Sequence, residues 1–168
     1  CDPSSSPLRS PPQTAAAGLN AKSDGMYQAL RRWLDAGVPI DGVGLQIRER
    51  LGRVPPADEL AANMDRLGAL GLEAQVTEMD VAIPEPVTPR GLAAQAREYG
   101  EAVRACLRAE ACTAFCVSGV SDRYAGVSRF APGCGAALLL DEEGRPKPAY
   151  HEVARLLSAE CQPPRAAD

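Results

Sequence analysis

The chain is poor in the residues that most ligand chemistry needs. It has one histidine, His151, and no Cys-x-x-Cys pair among its six cysteines, which argues against a structural zinc site. No metal and no other cofactor is expected. No Lys/Arg run or basic patch stands out against a formal net charge of -4, so nucleic acid is not an expected partner. No apolar stretch approaches the roughly 18 residues of a membrane helix. The run Ala136-Ala137-Leu138-Leu139-Leu140 is far too short. The absence of Gly-x-Gly-x-x-Gly and of a Walker loop weakens any nucleotide-binding reading. The first residue is Cys1 rather than Met, which reads as a fragment or a processed product, consistent with a signal peptide lost along with a missing part.

What remains is the composition of an ordinary globular domain. The chain has 168 residues, of which 45% are apolar and 24% charged, enough for one core. Residues 1–19 are rich in Ser, Pro and Ala and follow no period, so they read as a disordered segment. Residues 20–158 carry the periodic patterns, and 159–168 read as a flexible tail.

Within 20–158 the periods alternate. Ser23 or Asp24 can cap a helix whose stripe is Met26, Leu30 and Leu34, stopped by Gly37 and Pro39. Ile40 to Gln46 reads as a buried strand. A second helix spans about Asp58 to Leu70, with Leu60, Met64 and Leu67 on one face. Leu72 to Asp80 alternates as a strand. Strict period 2 puts Glu78 and Asp80 on the same side as Leu72, Ala74 and Val76. Thr88-Pro89 opens a third helix with the stripe Leu92, Ala96, Tyr99, Val103 and Leu107. Thr113 to Gly119 reads as a strand, and a last helix starting at Pro148 carries Val153, Leu156 and Leu157. Helix and strand in alternation mean βα units on a parallel sheet. An open doubly wound sheet and a (β/α) barrel both fit. A complete barrel needs eight strands, and only three are legible in this chain.

Five stretches in order resemble glycoside hydrolase family 10 endo-1,4-β-xylanases. They are Asn20-Ala21-Lys22-Ser23-Asp24 leading to Trp33-Leu34; Gly37 to Gln46; Gly71 to Val81 with Thr77-Glu78-Met79-Asp80; Cys106 to Thr113 followed by Gly119 to Tyr124; and Arg145 to Tyr150. The resemblance implies part of a TIM (β/α)8 barrel, roughly helix 5 to helix 8, with the Ser/Pro-rich segment standing where the fifth strand belongs. It also implies xylan as substrate, a secreted protein, and a retaining mechanism with two carboxyl groups.

By that resemblance Glu78 is the nucleophile, at the end of an apolar strand where barrel active sites lie. The family's acid/base sits in an Asn-Glu pair, and this chain contains no such dipeptide. Nothing in the motif gives Asp80, Asp122 or Glu49 that role. The family's Gln-x-His after strand six becomes Gln46-Ile47-Arg48. Gln46 is a site candidate. Arg48 is expected to point outward like most surface arginines; pointing inward, it would clamp Glu78 through a bidentate pair. Two tryptophans that the family uses as sugar platforms correspond here to Ser118 and Gly126. Trp33 is expected to serve packing, and Tyr124 to sit on a loop. Cys106 and Cys112 match a family disulfide. Cys1, Cys116, Cys134 and Cys161 have no evident partners.

The resulting expectation is a xylanase-like piece, inactive by itself. The alternative is a non-catalytic descendant that binds carbohydrate or protein. With only three strands, Ala74, Val76, Phe115 and Val117 are expected to lack an opposing barrel wall.

Overall fold

The computed structural model describes residues 16–127 and 131–160. The elements follow one another as α1 (Ala21–Asp35), β1 (Gly42–Arg50), α2 (Ala57–Gly68), β2 (Glu73–Pro84), α3 (Pro89–Arg108), β3 (Cys112–Phe115), a single 3-10 turn at Asp122–Tyr124, β4 (Cys134–Gly135) and α4 (Pro148–Glu160). The strands β1, β2 and β3 lie side by side in that order and are parallel. This is α/β architecture built from βα units. The short β4 was not anticipated; it runs antiparallel to the end of β2, with Ile83 opposite Gly135 and Pro84 opposite Cys134.

Local chemistry explains where each helix begins. Asn20, not Ser23 or Asp24, caps α1, accepting from the amides of Lys22 and Ser23. Ser23 answers by accepting from the Asn20 amide at 2.9 Å, which completes a capping box. Thr88 caps α3 by accepting from the Gly91 amide at 3.1 Å, with Pro89 in the first turn as expected. Gly37, just beyond α1, has φ +78, the left-handed conformation expected of its stop signal.

The register of β1 against β2 decides which side chains reach the site. Leu45 pairs with Val76, but Gln46 pairs with Glu78, so Thr77 is an extra residue in β2. The bulge reverses the alternation. Ala74 and Val76 before it, and Met79 and Val81 after it, are all fully buried in one core cluster with helix residues. Glu78 and Asp80 therefore lie on the opposite face from Ala74 and Val76, which corrects the strict period-2 expectation. A glycine on the neighbouring strand makes room for the bulge, since a Cβ on Gly44 would meet Thr77 Cγ2 at 2.8 Å.

That core also corrects the expectation of unsupported apolar strand residues. Ala74 and Val76 are covered by the helix layer, together with Leu45 and Ile47 from β1, Leu60, Met64 and Leu67 from α2, and Tyr99 and Val103 from α3. Phe115 and Val117 are half-buried against the same cluster. The other sheet face is polar: Gln46, Arg48 and Thr77 are exposed there, and Thr113 donates to Glu73 at 3.1 Å.

Both ends of the chain differ from the sequence reading where they are described. Residues 1–15 and 161–168 lie outside the described residues. Ala16 to Leu19, expected as part of the disordered segment, are docked: Ala17 is fully buried, and buried Asn63 donates to the Ala16 and Ala17 carbonyls at 2.9 and 2.6 Å. The Leu19 amide reaches Glu59 Oε1 at 2.8 Å. Residues 159 and 160, assigned to the tail, continue α4. Trp33 was expected to pack, but it sits near the end of α1 and is 53% exposed. Cys106 and Cys112 form the disulfide that the family resemblance implied, with Cα atoms 5.1 Å apart. Cys116 and Cys134 are free thiols, while Cys1 and Cys161 lie outside the described residues.

Candidate functional site

The site lies at the carboxyl ends of β1 and β2. It forms because the Thr77 bulge turns Glu78 and Asp80 toward the face that also carries Gln46 and Arg48. Gln46 Nε2 donates to Glu78 Oε1 at 3.0 Å. Arg48 Nη1 lies 3.3 Å from Glu78 Oε2, and Arg48 Nε donates to Asp80 Oδ2 at 3.1 Å. Both oxygens of Glu78 are thus occupied. Arg48 points inward, contrary to the outward orientation expected of it. Nor is it a bidentate clamp on one carboxylate, because a single guanidinium is shared between two. The cross-strand register explains this sharing: Gln46 stands opposite Glu78 and Arg48 opposite Asp80, so Arg48 meets Asp80 directly and Glu78 diagonally.

The three charged side chains differ in their access to water. The side chains of Arg48 and Glu78 are 39% and 34% exposed, but that of Asp80 is 3% exposed. Burial pushes the Asp80 carboxyl above the ordinary aspartate range. The Ser118 hydroxyl and the Arg48 guanidinium oppose that rise, and the charge of Glu78 adds to it. Asp80 Oδ1 is sealed from solvent and has no hydrogen bond of standard geometry among the described residues.

Ser118 thus borders this cluster through Asp80 rather than offering it a flat face. Its backbone amide donates to the Met79 carbonyl at 3.0 Å, which keeps the segment after β3 beside β2. Gly126 is exposed, and a Cβ there would meet nothing within 4 Å. Tyr124, on the 3-10 turn, is 84% exposed.

One buried ion pair near the site escaped the sequence reading. Lys147 Nζ lies 2.7 Å from Asp122 Oδ2 and also donates to the Ala136 carbonyl at 2.7 Å, while Asp122 Oδ1 accepts from the Leu138 amide at 2.7 Å. Both side chains are nearly buried, at 6% and 7% exposure. Burial pulls the Lys147 ammonium below the ordinary lysine range, and Asp122 opposes that pull. Tyr99 closes the region from the helix side, donating to the Ala137 carbonyl at 2.9 Å; burial, followed by the charges of Asp80 and Asp122, raises its hydroxyl above the ordinary tyrosine range. Asp122 and Lys147 fall in two of the five resemblance stretches, but nothing local in the sequence marks either side chain as buried. Among the described residues no group of three or more His, Cys, Asp or Glu side chains is arranged to hold a metal ion.

The sequence profile of glycosyl hydrolase family 10 matches residues 14–156. The chain belongs to this family. Among its relatives, endo-1,4-beta-xylanase 5 of Pyricularia oryzae is 36% identical over 139 residues, covering 82% of this chain and 34% of that protein. The endo-1,4-beta-xylanase of Agaricus bisporus is 35% identical over 136 residues, covering 81% of this chain and 40% of the relative. Among solved structures, native xylanase 10B from Thermotoga maritima superposes with a TM-score of 0.81 at 34% identity, covering 86% of this chain and 45% of that one. Xylanase 10B from Thermotoga petrophila in complex with xylobiose gives 0.83 at 34% identity, covering 88% and 45%. The family 10 chain thus spans between a third and a half of the length of these relatives. The likeness also decides between the two architectures left open by the sequence: the three parallel strands are part of a TIM barrel and not of a doubly wound sheet. Among the described residues no helix is long and apolar enough to cross a membrane.

Proposed function

We propose that Glu78 is the nucleophile half of a retaining site for β-1,4-xylan, with the acid/base carboxyl supplied from outside the described residues, and that this chain alone does not hydrolyse xylan. The observation that carries the reading is Glu78 itself. It is a carboxylate about a third exposed at the carboxyl end of a barrel strand, and it accepts from Gln46 at 3.0 Å. A retaining site needs a second carboxyl group about 5–5.5 Å away that can reach the leaving oxygen. Asp80, the second carboxylate that Arg48 contacts here, has a side chain only 3% exposed, so it is shielded from a polysaccharide. Without an acid the sugar oxygen departs as an alkoxide, and general acid help is typically worth about 10²–10⁴-fold. An extracellular site of action accompanies this reading and agrees with the Cys106–Cys112 disulfide.

A second reading is a non-catalytic remnant that binds carbohydrate or protein. Ser118 and Gly126, in place of flat aromatic platforms, favour it, as does the sharing of Arg48 with Glu78. One experiment separates the two readings. A 2,4-dinitrophenyl 2-fluoro-xylobioside needs no acid: a Glu78 oxygen bonds to the anomeric carbon while the C–O bond to the phenolate breaks and its electron pair leaves with dinitrophenolate. A glycosyl ester on the Glu78 peptide, absent in Glu78→Gln, supports the nucleophile reading. No ester at millimolar reagent favours the remnant. Reducing-sugar release from soluble xylan is expected to be nil, and turnover abolished by Glu78→Gln would refute the inactivity.

A further inference from the structure

The loop between β1 and α2 has little of its own with which to satisfy its backbone. Pro55 and Pro56 bring no N–H groups, and Pro56 offers α2 no side-chain cap. The loop's amides turn instead to α3, which lies far along the chain. The Gly52 amide donates to Glu98 Oε1 at 2.6 Å, across 46 residues of sequence. Gly52 adopts φ +87, a conformation that glycine enters without strain. The Val54 amide is a second donor to the Glu98 carboxylate, whose Oε2 is sealed from solvent. The Ala57 amide, in the first turn of α2, donates to Glu101 Oε2 at 2.8 Å, across 44 residues. Glu98 and Glu101 stand one turn apart on the same face of α3. Glu101 is itself held from behind: its Oε1 accepts from Arg104 Nη2 at 2.8 Å, and Arg104 Nη1 reaches Glu152 of α4 at 3.1 Å.

We propose that α3 is a clasp on the exit from β1: Glu98 holds the turn at Gly52 and Glu101 caps α2 from outside, so that the carboxyl end of the strand is fixed by the helix layer and not by its own loop. A helix N-terminus leaves amides without intrahelical acceptors, and a carboxylate there also meets the positive end of the helix dipole. Ala57 is 5% exposed, so water is a poor substitute for Glu101. Two backbone donors converge on Glu98, and only a carboxylate presents acceptors on both of its terminal atoms. A bond from the Leu51 amide to the Ala82 carbonyl at 2.9 Å ties the strand end to β2, one residue before Gly52. The clasp therefore stands directly behind the stretch of β1 that carries Gln46 and Arg48. Glu98 is a positioning residue acting through the loop, whether or not Glu78 ever attacks a sugar.

Amide hydrogen exchange of the whole chain, resolved residue by residue by NMR at constant pH and with no substrate, tests the clasp. Glu98→Gln is the discriminating variant. It keeps the shape, but one of its two terminal atoms becomes an NH2 group facing a backbone N–H. One of the Gly52 and Val54 amides should keep its protection, and the other should exchange about 10- to 100-fold faster, the loss expected for a hydrogen bond to a charged group. Glu98→Ala should accelerate both, and the Leu51 amide with them. Glu101→Ala should accelerate Ala57 and leave Gly52 and Val54 as they were. The Val76 amide, mid-sheet between Leu45 and Phe115, reports global opening and corrects each rate for overall stability. Rates at Gly52, Val54 and Ala57 that rise no more than that of Val76 overturn the clasp. An unchanged Leu51 rate in Glu98→Ala overturns its hold on the strand end, and equal losses at both amides in Glu98→Gln overturn the need for a carboxylate. Where an alanine variant does not fold, Glu98→Gln and the milder Arg104→Met carry the test. Arg104→Met should accelerate Ala57 alone, and an unchanged Ala57 there would count against the outside cap.

Discussion

Replacing Lys147 by Met removes a buried cation while keeping most of the side-chain volume. Lys147 and Asp122 are both more than nine-tenths buried, so solvent screening takes little from their interaction. The substitution deletes the 2.7 Å contact to Asp122 and the 2.7 Å bond to the Ala136 carbonyl, leaving Asp122 with the Leu138 amide as its remaining hydrogen bond. Breaking one side of such a pair costs about 3–5 kcal/mol, because the surviving charge stays buried. Lys147→Met should therefore lower the denaturant midpoint of the chain substantially at pH 7. Adding Asp122→Asn should recover a large part of that loss, since no uncompensated charge is then left. The pH dependence has a definite sign. The folded-state pKa of Lys147 lies below its unfolded value. Between the two values the unfolded state binds more protons, so this residue's contribution to stability rises as pH increases through that alkaline window. Lys147→Met should remove that alkaline rise. A loss under about 1 kcal/mol, or no recovery in the double variant, would refute the view that this pair holds the loop beyond β3.

Two further substitutions test features that position the site. Gly44→Val places a branched side chain where even a Cβ would lie 2.8 Å from Thr77 Cγ2 and 3.0 Å from Thr77 Oγ1, and overpacking of this kind costs about 1–3 kcal/mol. The double variant with Thr77→Gly should recover most of that stability in a denaturant titration, and equal losses in both would rule out steric support of the bulge. Asn63→Asp swaps a buried amide donor for a carboxylate facing the Ala16 and Ala17 carbonyls at 2.9 and 2.6 Å. It should release residues 16–19 to limited proteolysis at neutral pH and restore protection as pH falls, when the acid regains a donor hydrogen. Cleavage that does not depend on pH would count against this docking.

The family 10 motifs carried much of the site in one dimension. Glu78, Gln46 and Arg48 were legible as candidate positions because each falls at a fixed place in a motif, and the structure brings their side chains into contact; the Cys106–Cys112 disulfide was legible for the same reason. The helices were legible because their apolar stripes and stops are local: Thr88 and Pro89 begin α3 by chemistry contained within a few residues. The cap of α1 was misplaced by the same local reasoning, because Asn20 and Ser23 are both good acceptors and only the folded geometry shows that each satisfies the other's amide.

What the sequence determined by itself was the order of elements and the residue types available at the carboxyl ends of the strands, because helix periods, caps and motif spacing are properties of contiguous chain. The tertiary structure alone decided which face each side chain takes. Thr77 is an ordinary strand residue in sequence; it becomes a bulge only because Gly44 on the neighbouring strand leaves room for it and Leu45 and Gln46 set the register on either side. That single insertion turns Glu78 and Asp80 away from the core and brings Arg48 between them. Likewise, Lys147 and Asp122 are 25 residues apart, and only packing removes the water that would otherwise solvate each of them separately. Register and burial are relations between segments distant in the chain, and so they arise only when those segments meet.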